Sequence, residues 1–384
     1  MKYYIIAGEA SGDLHGSNLM KGLYRQDPQA RIRFWGGPAM EAACQENGNA
    51  DGLVADYREG AVMGLVEVLR KAPSLLRRVR RCQQDILDWQ PDVVILIDYP
   101  GFNLKIAQFA HKAGFKVFYY IAPKVWASRE GRVRQLKAWV DRLFIVFPFE
   151  KAYFDRQGVP YVYAGNPLVD ALDASEALKE PREAFLGRCS LPEAPLIALL
   201  AGSRSHEIAA MMPTFMEAAD AWHLRHPEFH FVVAAAPART EADYTPYLQG
   251  RPFVHVIFGQ TYAALRHARA AVINSGTASL EAALIGTPQV VGYKVAPLTA
   301  AIARRIIKVP YVSLANLILG RPAFREFLQE DFTAGHLLEE LDRLCFNEAC
   351  RSAMHNDYQE VRTLLGGAGA SDAVARAMIQ ELKA

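Results

Sequence analysis

Residues 93–103 read Val93-Val94-Ile95-Leu96-Ile97-Asp98-Tyr99-Pro100-Gly101-Phe102-Asn103. Five aliphatic residues run without a polar break and stop at an acid followed by a proline and a glycine. This is how a buried strand delivers the chain into a turn and a helix. The same pattern recurs outward in both directions. Tyr3–Ala7 and Ile32–Trp35 precede it; Lys116–Ile121, Leu143–Phe147 and Tyr161–Tyr163 follow, with helical patterns between them. The stretch Pro167–Pro195 turns polar, acidic and proline-bearing and reads as a linker. The pattern then restarts with Leu196–Leu200, Phe229–Ala234, Val254–Ile257, Ala270–Asn274 and Gln289–Gly292. Such alternation predicts an α/β fold of two Rossmann-like, doubly wound parallel sheets facing a central cleft. The expected divisions are a first domain over 1–166, a linker over 167–195, a second domain over 196–350 and a helical tail over 351–384, whose return to the first domain is open. A chain of 384 residues is long enough for two cores.

Composition narrows the function classes. Hydrophobic residues make up 51% and charged ones 22%, which argues against disorder. A formal net charge of +2 gives no case for nucleic acid as a partner. The cysteines, Cys44, Cys82, Cys189, Cys345 and Cys350, contain no CxxC pair, so zinc is not expected, and their odd number fits a reducing compartment. The opening MKYYIIAGEASGD has too short an apolar run for a signal peptide and reads as a first strand. The longest apolar region, Val290–Leu319, is interrupted by Lys294, Arg304, Arg305 and Lys308, so no segment is expected to cross a bilayer. The chain reads as soluble or peripheral.

In open parallel sheets, ligands sit beyond the carboxyl ends of the strands, so the loops there are where chemistry is expected. After the first strand comes Gly8-Glu9-Ala10-Ser11-Gly12-Asp13-Leu14-His15-Gly16. Its glycines allow close backbone approach and the helix that follows offers free N–H groups to an anion; it also fits an ordinary strand-to-helix turn capped by Ser11 or Asp13. It is not GxGxxG, which counts against a dinucleotide. Asp98 is placed to serve as a general base for a hydroxyl nucleophile, to cap the helix near Asn103 or to pair with a neighbouring basic group. In the second half, Ala201-Gly202-Ser203-Arg204 sets a guanidinium beside a helix start, a combination suited to a diphosphate. Asn274-Ser275-Gly276-Thr277-Ala278-Ser279-Leu280-Glu281 repeats the arrangement, with Glu281 able to accept two hydrogen bonds from a ribose diol; hydroxyl N-caps and an acid near a helix start explain it structurally as well. No DxD, histidine–carboxylate cluster or EF-type loop is present. A diphosphate leaving group would thus be met by Arg204 and helix termini, with no metal and no cofactor.

Residues 62–76, VMGLVEVLRKAPSLL, run into Arg77-Arg78-Val79-Arg80-Arg81. The aliphatic Leu65, Val66, Val68, Leu69, Leu75 and Leu76 beside Arg70, Lys71 and the arginine run suit an anionic membrane surface or an acyl pocket. Leu75, Leu76, Val79, Cys82 and Ile86 also keep the spacing of an amphipathic core helix with a solvated basic face, the simpler reading. A second basic set, Lys124, Arg129, Arg132 and Arg134, surrounds Trp126 and suits either a phosphate or a helix surface.

Taken in order, GEASGD, AVMGLVEVL, LIDYPGFN, PKVWASREGRV, FPFEKAYF, AGSRSHEI, SGTASLEAALIGTPQVVGY and YVSLANLILG resemble the lipid-A-disaccharide synthase family over roughly Tyr3 to Gly320. The resemblance implies a B-fold, inverting glycosyltransferase. It would move 2,3-diacylglucosamine from UDP-2,3-diacylglucosamine to the 6-hydroxyl of 2,3-diacylglucosamine 1-phosphate (lipid X), giving the β-1,6-linked tetraacyl disaccharide 1-phosphate and UDP. It further implies Asp98 as base, with Arg204 as the catalytic cation. Glu9, Ser11, Gly12, Asp13, Asn103, Trp126 and Arg129 fall on the acceptor side. Gly202, Ser203, Arg204, Ser275, Gly276, Thr277 and Glu281 fall on the UDP side, and Asn316 is a further candidate to face the cleft. A peripheral position on the cytoplasmic face of the inner membrane follows, while a homodimer stays open. One departure is Asn166 in AGNPLVD, where the family commonly carries histidine, so no imidazole can move a proton there. A UDP-sugar epimerase or hydrolase of the same fold, and a non-catalytic nucleotide-binding peripheral protein, remain as alternatives.

Overall fold

The computed structural model describes residues 1–49, 52–60, 72–127, 130–236, 239–296, 300 and 309–383. They form two compact units, one of Met1–Ala171 with Leu365–Ala384 and one of Leu172–Leu364. Unit 1 carries seven parallel strands: β1 (Lys2–Ala7), β2 (Arg31–Gly36), β3 (Leu53–Asp56), β4 (Val93–Ile97), β5 (Lys116–Tyr120), β6 (Arg142–Ile145) and β7 (Tyr161–Tyr163). Their order is β3-β2-β1-β4-β5-β6-β7, so the direction of winding reverses between β1 and β4. Those two strands pair in parallel, with Tyr3 opposite Val93 and Ala7 opposite Ile97.

The unbroken apolar strands follow from helices on both faces. Tyr3, Ile5 and Ala7 of β1 pack into one layer with Leu19, Met20 and Leu23 of the helix Ala10–Gln26. Tyr4 and Ile6 pack into the other with Val79, Cys82 and Ile86 of the helix Ala72–Trp89. The first layer is completed from the far end of the sequence. Val374, Ala375, Met378 and Ile379 of the helix Ala370–Lys383 are buried in it, and Arg25 pairs with Asp372 across the same contact. Asp170 fixes where that helix begins, accepting from the backbone N–H groups of Gly369, Ala370 and Ser371 at 2.5, 3.3 and 2.7 Å.

Unit 2 carries β8 (Leu196–Leu200), β9 (His230–Ala235), β10 (Val254–Phe258), β11 (Ala270–Asn274), β12 (Gln289–Tyr293) and β13 (Glu326–Leu328). The order β10-β9-β8-β11-β12-β13 reverses between β8 and β11, whose residues are buried throughout. The helix Ser205–Arg225 packs on the helix Ala334–Phe346 at one face. The stretch expected as a linker contains the boundary between the two units and is partly helical. It holds the helices Pro167–Asp173 and Arg182–Arg188, the second burying Phe185 and Leu186. Its polarity belongs to their outer faces.

The docking of the last helix predicts a stability effect confined to unit 1. Met378 is fully buried, so Met378→Ala is expected to cost about 2–5 kcal/mol through lost burial and a residual cavity. Urea unfolding followed by a probe in unit 1 checks this, and a change below about 1 kcal/mol would mean that the helix contributes little.

Candidate active site

A winding reversal leaves adjacent strand ends whose following helices lie on opposite faces, and the gap between them receives the ligand in open α/β sheets. The loops after β1 and β4 flank that gap in unit 1, and the loops after β8 and β11 flank it in unit 2. All four are loops singled out from the sequence.

In unit 1, Asp98 follows β4 directly, and it and Tyr99 both take the left-handed backbone region, with φ of 42° and 47°. Neither is glycine, so each costs on the order of 1–3 kcal/mol that its surroundings must offset. Tyr99, not Asp98, is the N-cap of the helix Pro100–Lys112. The Asp98 carboxyl is pushed up to about 6, first by burial and then by the nearby charge of Glu9, with Lys124 acting in the opposite direction. A carboxylate near 6 is ionised at neutral pH yet basic enough to accept a proton. Gly8 makes this arrangement possible, because any Cβ there would run into the Tyr99 ring.

The residues expected beside Asp98 divide by burial. Glu9 is exposed at the start of the helix Ala10–Gln26 and makes no side-chain capping bond; Ser11 is exposed one residue into that helix. Gly12 is buried against Ala7. Asp13 is 4% exposed and caps a different helix, Pro38–Glu46. Its oxygens accept from the backbone N–H groups of Gly37 at 2.8 Å, Ala39 at 3.0 Å and Met40 at 3.1 Å. Asp13 therefore shapes the loop after β2 and has little surface to offer a ligand. Asn103 is fully buried and donates to the carbonyls of Ile97 and Asp98. His15 has its imidazole lowered to about 4 by burial and is neutral at physiological pH. Arg129 lies outside the described residues.

Trp126 is half-buried and donates its indole N–H to Glu150 at 3.1 Å. Glu150 escaped the sequence reading. It is 1% exposed, accepts from the backbone N–H groups of Val146 and Phe147 at 3.1 and 3.0 Å, and is pushed up to about 7 by burial. It thus ties the loop after β5 to the loop after β6. A glutamate at the third position of a helix that starts with proline was the available signal. Asn166 occupies a scaffold position too. Its amide donates to the Val146 carbonyl at 2.9 Å and accepts from the Leu168 N–H at 2.9 Å.

In unit 2, Gly202 has φ 105°, and a Cβ there would meet the Glu207 carboxylate and the Asn274 amide. Glu207 accepts from the N–H groups of Ser203 and Arg204 at 2.9 and 3.1 Å and pairs with the Arg204 guanidinium at 3.0 Å. With its side chain 59% exposed, Arg204 stays available to a second anion. On the neighbouring loop, Ser275 donates its hydroxyl to the Val312 carbonyl, and Gly276 caps the helix Thr277–Ile285 with Thr277 exposed at its start. Glu281 accepts from the Tyr262 hydroxyl at 3.1 Å, and burial raises its carboxyl. Arg239 is a cation the sequence reading passed over; it donates to the Ser205 hydroxyl at 2.6 Å, at the start of the helix that Arg204 caps. Asn316, the further candidate, lies in the interior of unit 2. It is fully buried and bonds to Phe324, Ala323 and Glu326, while Glu326 holds the N–H groups of Val312 and Ser313. Asn316 supports Ser275 through that loop.

Of the aliphatic and basic segment, Leu65, Val66, Val68 and Leu69 lie outside the described residues. Leu75 packs against the core, whereas Leu76 is 51% exposed. Arg77, Arg80 and Arg81 are exposed as well, and Arg78 stacks over the Trp35 ring at 5.1 Å. From Leu75 onward the helix is thus amphipathic, burying Val79, Cys82 and Ile86. Among the described residues no group of three metal-ligating side chains could hold an ion, and no helix is long and apolar enough to cross a membrane.

Comparison with known proteins adds a family. Residues 3–378 match the family described as lipid-A-disaccharide synthetase. The lipid-A-disaccharide synthase of Geobacter metallireducens is 38% identical over 380 residues, covering 98% of this chain and 96% of the relative. That of Chromohalobacter salexigens is 38% identical over 98% of this chain and 96% of its own length. Among solved structures, the UDP-GlcNAc 2-epimerase of Neisseria meningitidis bound to UDP-GlcNAc superposes with a TM-score of 0.72 at 14% identity, covering 99% of this chain and all of that one. The calicheamicin glycosyltransferase CalG4 does so at 0.59 and 16% identity, covering 99% of this chain and 97% of its own. At these identities the structures show the shared fold.

The capping role of Asp13 predicts that Asp13→Ala destabilises unit 1 by about 1–3 kcal/mol, because buried N–H groups would lose their acceptor. Chemical denaturation measures it; a variant as stable as the parent would free Asp13 for a part in binding.

Proposed function

The chain belongs to the lipid-A-disaccharide synthase family, and on that premise we propose that Asp98 is the general base of its glycosyl transfer and that Arg204 and the helix starts of unit 2 receive the leaving diphosphate. The reaction moves 2,3-diacylglucosamine from UDP-2,3-diacylglucosamine to the 6-hydroxyl of lipid X and releases UDP. The acceptor hydroxyl attacks the anomeric carbon from the face opposite UDP, so one displacement inverts the centre and no covalent enzyme intermediate forms. A sugar hydroxyl is a very weak acid. Its proton must pass to a base as the new C–O bond forms, and the C–O bond to UDP breaks with its electron pair going to the diphosphate.

The observation that carries this reading is the place of Asp98, a carboxyl in a strained turn at the winding reversal of its sheet, where burial raises it to about 6. Glu9 adds negative charge that keeps it basic. In unit 2, the exposed guanidinium of Arg204 can exchange Glu207 for phosphate oxygens, and the starts of the helices Ser205–Arg225 and Thr277–Ile285 add N–H donors. Glu281, already held by Tyr262, is the proposed acceptor for the ribose hydroxyls. Together these groups supply fixed positive potential where charge develops. An epimerase shares the fold, but full-length identity near 38% to synthases favours transfer; UDP release that depends on lipid X separates the two.

We also propose peripheral binding to the cytoplasmic face of the inner membrane through the start of the helix Ala72–Trp89. Exposed Leu76 beside Arg77, Arg80 and Arg81 supports it. Each exposed CH₂ of an acyl chain costs about 0.8 kcal/mol in water, so diacyl substrates favour an enzyme that works at a surface.

Asp98→Asn is expected to lower turnover by about two to four powers of ten while UDP binding, read by calorimetry, stays close to that of the parent. In the parent, kcat/KM is expected to fall as pH drops through about 6, where the base becomes protonated. Arg204→Ala is expected to cost about 2.7–4 kcal/mol in transition-state stabilisation, read from kcat/KM. Retained turnover in Asp98→Asn removes the base assignment. At the membrane, Leu76→Ser is expected to weaken sedimentation with anionic vesicles without lowering the melting temperature, and the arginines should make binding weaker in high salt, at roughly 1 kcal/mol each. Equal sedimentation of variant and parent would move the contact elsewhere.

A further inference from the structure

Strain at non-glycine residues gathers beside the candidate base. Of the six non-glycine residues with positive φ among the described ones, Gln90, Ser190 and Gln329 lie elsewhere, and three, Asp98, Tyr99 and Ile121, stand at the carboxyl ends of the neighbouring strands β4 and β5. What holds the first two there is a cluster of bonds on one oxygen. Tyr119 of β5 donates its hydroxyl to the Asp98 carbonyl at 2.6 Å. Asn103, one turn into the following helix, donates its amide to the same carbonyl at 2.8 Å and to the Ile97 carbonyl at 3.1 Å. Both side chains are fully buried. The Asp98 N–H is also taken, donating to the Tyr120 carbonyl at 3.1 Å.

We infer that Tyr119 and Asn103 are positioning residues for the transfer, acting by locking the Asp98 carbonyl into the sheet so that its side chain is held for proton transfer. The inference rests on the reading of Asp98 as base. Two buried donors on one carbonyl exceed what a turn requires, since a single backbone partner satisfies such a group. They fix the peptide plane after Asp98, and with the N–H held by Tyr120 both bonds flanking its Cα are set. The carboxylate then has only its own two side-chain torsions left to vary. Preorganisation of this kind is where rate is gained, because a base displaced by about 1 Å can lose on the order of a hundredfold. The charged groups acting on the carboxylate are Glu9, at the start of the helix after β1, and Lys124 from the loop after β5, while Arg132 acts on the Tyr119 hydroxyl.

Tyr119→Phe removes one oxygen and leaves the ring packed, so its effect can be read against Asp98→Asn. With purified protein, the UDP-sugar donor and lipid X, kcat is expected to fall about ten- to a hundredfold with the donor KM within about twofold of the parent. The acid limb of the pH–rate profile is expected to move to lower pH, because a loosened carboxylate is better solvated and less raised. Asn103→Ala should move all three readouts the same way. A folded Tyr119→Phe or Asn103→Ala protein with the parent's kcat and an unmoved acid limb overturns the inference while leaving the base assignment intact. Parental turnover in Asp98→Asn would instead remove the base beneath it. Loss of folding in both positioning variants would also count against it, by placing the two side chains in sheet stability.

Discussion

Backbone N–H groups bonded to buried or half-buried carboxylates recur wherever a loop of this protein must keep one shape. Asp13 holds the loop after β2, Glu150 the loop after β6, Glu207 the loop after β8, Glu326 the segment at Val312 and Ser313, and Asp170 the start of the last helix. Where the carboxyl is ionised, such bonds are charge-assisted and stronger than neutral ones. They also have a geometric use, since one carboxylate accepts from two or three successive N–H groups and so fixes several peptide planes together. A parallel sheet needs this at its carboxyl ends, where the ladder stops and the backbone has lost its partners. The candidate ligand groups are set into loops made rigid in this way.

The two reversals of strand order are built from different local means. In unit 2 the loop after β8 uses a glycine, Gly202, to reach the left-handed region at little cost. In unit 1 the turn after β4, on the other side of its reversal, uses Asp98 and Tyr99, which pay for that region in strain and need the buried donors of Tyr119 and Asn103 to keep it. Glycine suffices where backbone alone is to be presented, as proposed for a phosphate after β8. Where a carboxyl must be presented, the residue cannot be glycine.

The strands and their grouping into two sheets were legible in the sequence because five-residue aliphatic runs such as Val93–Ile97 and Leu196–Leu200 have few other uses. The four loops at the reversals were legible for the same reason, since a buried run marks where its exit must be. What was hidden depended on partners distant in sequence. Asp13 looked like a ligand or a cap for its own helix, and its capping of a neighbouring helix could not be read from the sequence. Asn316 looked available, and its bond to Glu326 could not be read from the sequence. Glu150 and Arg239 carried no pattern strong enough to stand out, because their roles come from burial against Trp126 and from nearness to Ser205. The helices within Pro167–Pro195 were hidden because short helices covering a unit's surface share the composition of a connector.

The first unit is assembled from two separated pieces of chain, and the second from one continuous piece. During synthesis on the ribosome the second unit therefore has all its residues once Leu364 has emerged. The first, although begun earlier, still lacks Val374, Met378 and Ile379, and an apolar face of the helix Ala10–Gln26 stays uncovered until they arrive. Folding by domains usually runs from the amino end as the chain appears. Here the order of completion is inverted, and the unit that carries Asp98 is the last to close.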